Sequence, residues 1–287
     1  MRPYPLRGAN DVMTETQEQR LLRAGDLREA GRLREALQEY RGLAETITDT
    51  LDRGGVLLNE IACLREAGKI GLAKERLREL KELVSETRGA AADTEDGRRV
   101  FLAVTIKFEE AESLLVEGKE KEGLSKLDEL LIQYSKHLRV ADNRPLYESV
   151  QTRRGFLLAN LRRCAEAKPI LEEACSFENH RGSIHYYLGH CYCALGEMQP
   201  AKDKLIEALN LGMPEDLEYR AHCTLGMVYY KLEAYARAKE EFEICAQNAD
   251  EAYIREADLW KWLAGACRWL GLTSDAERYA KLAKAAK

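Results

Sequence analysis

The chain has 287 residues, 45% of them hydrophobic, and only 6 prolines and 20 glycines interrupt it, so a large core is within reach. Its 44 basic and 49 acidic side chains give a net charge of -5 with the signs interspersed, as in Lys119-Glu-Lys-Glu122, whereas a dedicated nucleic-acid surface carries a clustered positive stripe. No apolar run reaches the roughly 18 residues of a membrane-spanning helix, and no run alternates apolar and polar residues with β-branched enrichment, so an all-α fold is expected.

In chain order, Met1-Arg-Pro-Tyr-Pro-Leu-Arg-Gly-Ala-Asn10 lacks the apolar stretch of a secretory signal. Residues 1–13 are expected to be a disordered leader, and a cytoplasmic location follows by default. Helix is expected from about Thr14, where Thr14-Glu-Thr-Gln17 has the form of a capping box. Over 14–139, degenerate helical pairs can be drawn around small packing residues at Ala36, Ala73 and Gly123. These lie 37 and 50 residues apart, with 44 more to Ala167. The longer intervals place loops at Arg88–Asp96 and Val140–Pro145, which are rich in Gly, Asp, Asn and Pro.

From about residue 146 the pattern becomes regular. Gly155, Gly189, Gly226 and Ala264 are each followed twelve residues later by an alanine, at Ala167, Ala201, Ala238 and Ala276. Successive copies are 34, 37 and 38 residues apart, an interval typical of helical repeat arrays. Small residues recur because two helices must approach closely there. Within one copy, Leu188, Cys191, Tyr192 and Leu195 fall at i, i+3, i+4 and i+7, forming a single apolar stripe. A turn is expected at Gly196-Glu197. Pro200 then falls in a first helical turn, and Pro214 begins the helix near Glu215. Gly271 ends the helix bearing Trp260 and Trp269, Ser274-x-x-Glu277 is expected to cap the next one, and that final helix, Ala276 to Lys287, reads as a terminal cap with one wet face.

Leu188-Gly189-x-x-Tyr192 with Ala201 and Ala208 resembles the tetratricopeptide repeat. So do Leu225-Gly226-x-x-Tyr229 with Ala238, Phe242 and Cys245, and Trp260 with Leu263-Ala264, Ala276 and Ala283. The copy at Gly155, Leu158, Ala167 and Ala174 carries Arg154 in place of the usual Leu. The resemblance covers residues 146–285, and the regular array is expected over 146–287. It implies a right-handed α-α superhelix of about seven antiparallel helix pairs, with the first helix of each pair lining a concave groove for a peptide or helix. Carried over by position, that groove would hold Phe156 and Asn160, Tyr186 and His190, Arg220, Met227 and Tyr230, then Lys261, Arg268 and Trp269. Thr152, Cys193, Cys223 and Gly265 occupy further groove positions. Some members of the family clamp a partner's C-terminal carboxylate with Asn. Here Phe156, His190, Met227 and Gly265 stand in those places, so an apolar contact with a few hydrogen bonds is expected instead.

Eight cysteines in a core-rich chain are expected to be reduced thiols that pack as small hydrophobes. His185-x4-His190-Cys191-x-Cys193 has soft ligands, but residues two apart on a helix point about 200° apart. Cys191 and Cys193 cannot easily share a metal, and core cysteine with a groove-facing His190 is the expected arrangement, with no metal and no cofactor. No phosphate-binding loop, nucleophile elbow or His-Glu-x-x-His is present. The expected function is a non-enzymatic protein-interaction scaffold. The alternative is a peptide- or ligand-responsive regulator whose superhelix changes shape on binding.

Overall fold

A computed structural model describes residues 15–86, 97–138, 143–177, 182–247 and 256–286. The expected leader, Thr14 of the capping box, the Arg88–Asp96 loop, the first half of the Val140–Pro145 loop and Lys287 lie outside the described residues. Among the described residues there are fourteen helices and no strand. They are α1 (Glu15–Glu29), α2 (Leu33–Thr46), α3 (Thr50–Glu66), α4 (Ile70–Glu86), α5 (Gly97–Val116), α6 (Glu120–Leu138) and α7 (Arg144–Asn160). After these come α8 (Cys164–Ala174), α9 (Gly182–Ala194), α10 (Met198–Leu211), α11 (Glu215–Lys231), α12 (Tyr235–Ala246), α13 (Glu256–Trp269) and α14 (Thr273–Ala285).

The chain forms two compact units, residues 1–147 and 148–287. In the first, α1 packs on α2, α3 on α4 and α5 on α6, with α2 against α3 and both α3 and α4 against α5. In the second, α9 packs on α10, α11 on α12 and α13 on α14, and each second helix also touches the first helix of the next pair. The first helices α9, α11 and α13 meet one another in a row. Partners joined by so short a link must run antiparallel.

One turn closes all seven pairs. A residue in the left-handed region stands at Gly31, Gly68, Gly118, Arg162, Gly196, Glu233 and Gly271. Immediately after it, a backbone N–H reaches back to a carbonyl five residues earlier, as in Arg32 to Leu27, Arg163 to Leu158 and Leu272 to Cys267, at 2.8–2.9 Å. These are the bonds that satisfy the last carbonyls of a helix in a glycine-type C-terminal cap. Five residues beyond each left-handed residue stands a small one: Ala36, Ala73, Gly123, Ala167, Ala201, Ala238 and Ala276, all buried. The loosely spaced N-terminal half therefore uses the same unit as the regular half.

Arg162 (φ 59°) and Glu233 (φ 61°) occupy this turn with a Cβ. The left-handed region costs a non-glycine residue about 1–2 kcal/mol, part of which glycine returns through its larger unfolded-state entropy. Arg162→Gly and Glu233→Gly, both at exposed positions, are each expected to raise stability by about 0.5–1 kcal/mol. Urea unfolding checks this, and a loss of stability in both variants would contradict it.

Each crossing is close. A Cβ added at Gly155 would stand 2.7 Å from Leu171 Cδ2, at Gly189 2.8 Å from Leu205 Cγ, and at Gly226 2.7 Å from the ring of Phe242, itself fully buried. The small residues are thus where the sequence pattern puts them.

The capping expectation at the last helix is corrected. Helix α14 starts at Thr273, its N-cap is Leu272, and no side chain caps it. Ser274 lies inside the helix, because the main-chain turn at Gly271 starts the new helix before Ser274 can act. Among the described residues, Asp49 does cap through its side chain, accepting from the N–H groups of Leu51 and Asp52.

Candidate recognition surface

Two aromatic groups stand on the first helices of the second unit. The first joins α7, α9 and α11. Phe156 stacks on Tyr187 with centroids 4.3 Å apart, Tyr186 meets Tyr187 edge-on at 5.0 Å, and Tyr186 lies 6.3 Å from the His190 ring. The Arg220 guanidinium sits over the Tyr186 ring at 5.7 Å. Asn160 is exposed at the end of α7, near Tyr187. Burial, and after it the charges of Arg220 and Arg162, hold the His190 pKa below the ordinary imidazole value. His190 is therefore neutral at pH 7.

The second group joins α11, α12 and α13. Tyr230 meets Tyr235 and Trp262 edge-on at 5.3 and 5.0 Å, and Trp269 lies flat on Tyr235 at 5.2 Å with an interplanar angle of 4°. A Cβ at Gly265 would come 3.0 Å from the Tyr230 hydroxyl, so this glycine gives the tyrosine its place. Trp269 is 67% exposed.

The ten expected groove residues therefore divide. Phe156, Asn160, Tyr186, His190 and Arg220 come together, as do Tyr230 and Trp269. Met227 is half-buried on α11. Lys261 is exposed and donates to Asp258 one turn back at 2.8 Å, and Arg268 is exposed near the end of α13. One expectation needs correction. Tyr186, taken as an open groove residue, is only 2% exposed. Helix α9 is packed by α8, α10 and α11 together, so its residues from Ile184 to Gly189 are all buried, and the Tyr186 ring serves as the floor under Arg220. Sequence reasoning missed Tyr187, Tyr235 and Trp262. Tyr187 follows an expected groove residue directly, and Tyr235 opens α12 just past the Glu233 turn, so neither fell on the stripe chosen for the groove.

The His/Cys constellation is rearranged as well. His185 is buried with Nδ1 3.2 Å from Glu207, away from His190. Cys164, the first residue of α8, brings its sulfur to His190 and Cys191, and the three ligand atoms lie within 4.8 Å of one another. Cys164 stands 26 residues from His190 in sequence, and no local spacing signals the approach.

No family model and no curated protein sequence matches the chain. Solved structures do. PilF of Pseudomonas aeruginosa superposes with a TM-score of 0.55 at 16% identity, covering 80% of this chain and 90% of that one. Cut9 in the APC/C Cut9–Hcn1 hetero-tetramer gives 0.55 at 16% identity, covering 93% of this chain and 52% of that one. A tetratricopeptide repeat protein from Parabacteroides merdae gives 0.46 at 15% identity, over 95% and 93%. The chain has a tetratricopeptide-repeat fold. In the terms of that fold, α7, α9, α11 and α13 are the first helices of the last four repeats, and both aromatic groups stand mainly on them. No helix among the described residues is long and apolar enough to cross a membrane.

Proposed function

We propose that this chain is a non-enzymatic protein-interaction scaffold or adaptor whose tetratricopeptide-repeat groove, formed by α7, α9, α11 and α13, takes a partner peptide or helix. The observation that carries this reading is Trp269, two-thirds exposed yet laid flat on Tyr235 beside Tyr230 and Trp262. A large apolar ring held in one orientation loses little entropy on binding, and Trp, Tyr and Arg are the side chains that anchor interface cores. Phe156 and Arg220 supply the same chemistry at the other end of the row, where Arg220, already resting on an aromatic face, can present its outer N–H groups to a carbonyl or carboxylate. Solenoids bind along such rows, and in the Cut9–Hcn1 structure this fold occurs in a hetero-tetramer.

The test is to capture the partner from the native cell and measure its affinity for wild-type protein and for Phe156→Ala and Trp269→Ala. Trp269→Ala removes an exposed ring and is expected to weaken binding by about 2 kcal/mol or more, roughly thirtyfold, with little change in melting temperature. Full affinity in both folded variants would place the partner elsewhere on the molecule.

A further inference from the structure

We infer from the meeting of Cys164, His190 and Cys191 a binding site for a thiophilic divalent cation of the Zn(II) class. This goes beyond the proposed scaffold role and does not rest on it. Three soft ligand atoms from two helices lie within 4.8 Å of one another, close enough to surround one ion with Zn–S and Zn–N bonds of about 2.3 and 2.0 Å. Cys164 is 6% exposed and Cys191 is fully buried, while His190 is half-buried and gives a path to solvent.

The charges fit a divalent ion. A dication bound by two thiolates and one neutral imidazole leaves no net charge, which is what a buried site tolerates best. On binding, each thiol S–H bond breaks, both protons pass to solvent, and two metal–sulfur bonds and one metal–nitrogen bond form. The fourth tetrahedral position is left for a water. The position of Cys164 is fixed by the turn at Arg162, so the ligands stand on two rigid helices that are already packed. Cys223 and Cys245 form a second pair of neighbouring buried thiols. Among the described residues no third ligand joins it, which makes it an internal control.

The experiment titrates reduced, chelator-treated protein with Zn(II) alone by calorimetry, in two buffers of different ionisation enthalpy. Expected are saturation at a single equivalent, proton release from two thiols, a higher melting temperature with Zn(II), and the thiolate charge-transfer and tetrahedral ligand-field bands when Co(II) is used. Binding is expected to be lost in Cys164→Ser and much weakened in His190→Gln, and kept in Cys223→Ser. Circular dichroism of each metal-free variant shows whether it is folded, and His190→Gln, altered at a half-exposed position, carries the test if the cysteine variants fail to fold. The inference is overturned if wild-type protein takes up no stoichiometric Zn(II), or if uptake survives in a folded Cys164→Ser, Cys191→Ser double variant. It is also overturned if Cys164 and Cys191 are recovered as a disulfide that forms in preference to the metal complex under reducing conditions.

Discussion

Tyr186→Ala is expected to cost about 3–5 kcal/mol of stability, the range for truncating a buried aromatic ring. The ring is 2% exposed, meets Tyr187 and His190, and lies beneath Arg220. Its removal leaves a cavity under a charge that loses the ring face. Tyr186→Phe keeps the ring and gives up only the hydroxyl, so it is expected to cost no more than about 1.5 kcal/mol. Urea unfolding of the two variants side by side checks the pair. Equal, small losses would mean that the ring is not packed as described. The same burial means that Tyr186→Ala cannot serve as a clean test of binding, whereas Trp269→Ala can.

The second large effect is electrostatic and belongs to the first unit. Glu109 and Glu112, one turn apart on α5, are both buried and share Arg65, whose Nη1 lies 2.7 Å from Glu112 and 3.4 Å from Glu109. Arg28 and Glu66 form a bidentate pair of their own at 2.8 and 2.5 Å. Glu109 makes no hydrogen bond through Oε2, and burial pushes its pKa up to about 7, with Arg65 opposing and Glu112 assisting. Because the folded value lies above the ordinary 4.5, the folded protein holds this proton more tightly than the unfolded chain does. Its contribution to stability is full below about pH 4.5 and is lost as pH rises to about 7. Glu109→Gln removes that loss. The variant is therefore expected to gain on wild type between pH 5 and pH 8, by an amount on the order of 2–3 kcal/mol. Denaturant unfolding at both pH values reads the difference. A wild type that gains on the variant over that interval would reverse the sign and refute the assignment.

The repeat was legible because its constraint is local. A chain that turns through one left-handed residue and packs a small residue five positions later writes that interval into the sequence, and Ala36, Ala73 and Gly123 show it even where the longer motif has faded. In the first unit the partner positions twelve residues earlier hold Ala24, Ile61 and Ala111, all buried. Ala24 and Ala111 keep the small residue, and Ile61 breaks the pattern in the middle copy. What the sequence hid depends on contacts between repeats. Tyr186 sits on a helix covered from three sides, and tyrosine suits a wet groove and a dry core equally well, so its face could not be read from periodicity. The approach of Cys164 to His190 and Cys191 arises from α8 packing on α9, across a span of chain with no fixed length. The capping box at Ser274 failed for a simpler reason: the main-chain turn at Gly271 had already supplied the stop and the restart.

The claim that a partner docks on the first helices of the second unit is tested most directly by hydroxyl-radical footprinting of the chain with and without its captured partner. Side-chain labelling reports exposure at single residues. Trp269 and Phe156 are expected to lose labelling in the complex, while Leu211, Ile244 and Leu282 on the second helices, all exposed in the free protein, keep theirs. Unchanged labelling at Trp269 and Phe156, with protection at Leu211, Ile244 and Leu282 instead, would place the partner on the opposite face and contradict the account.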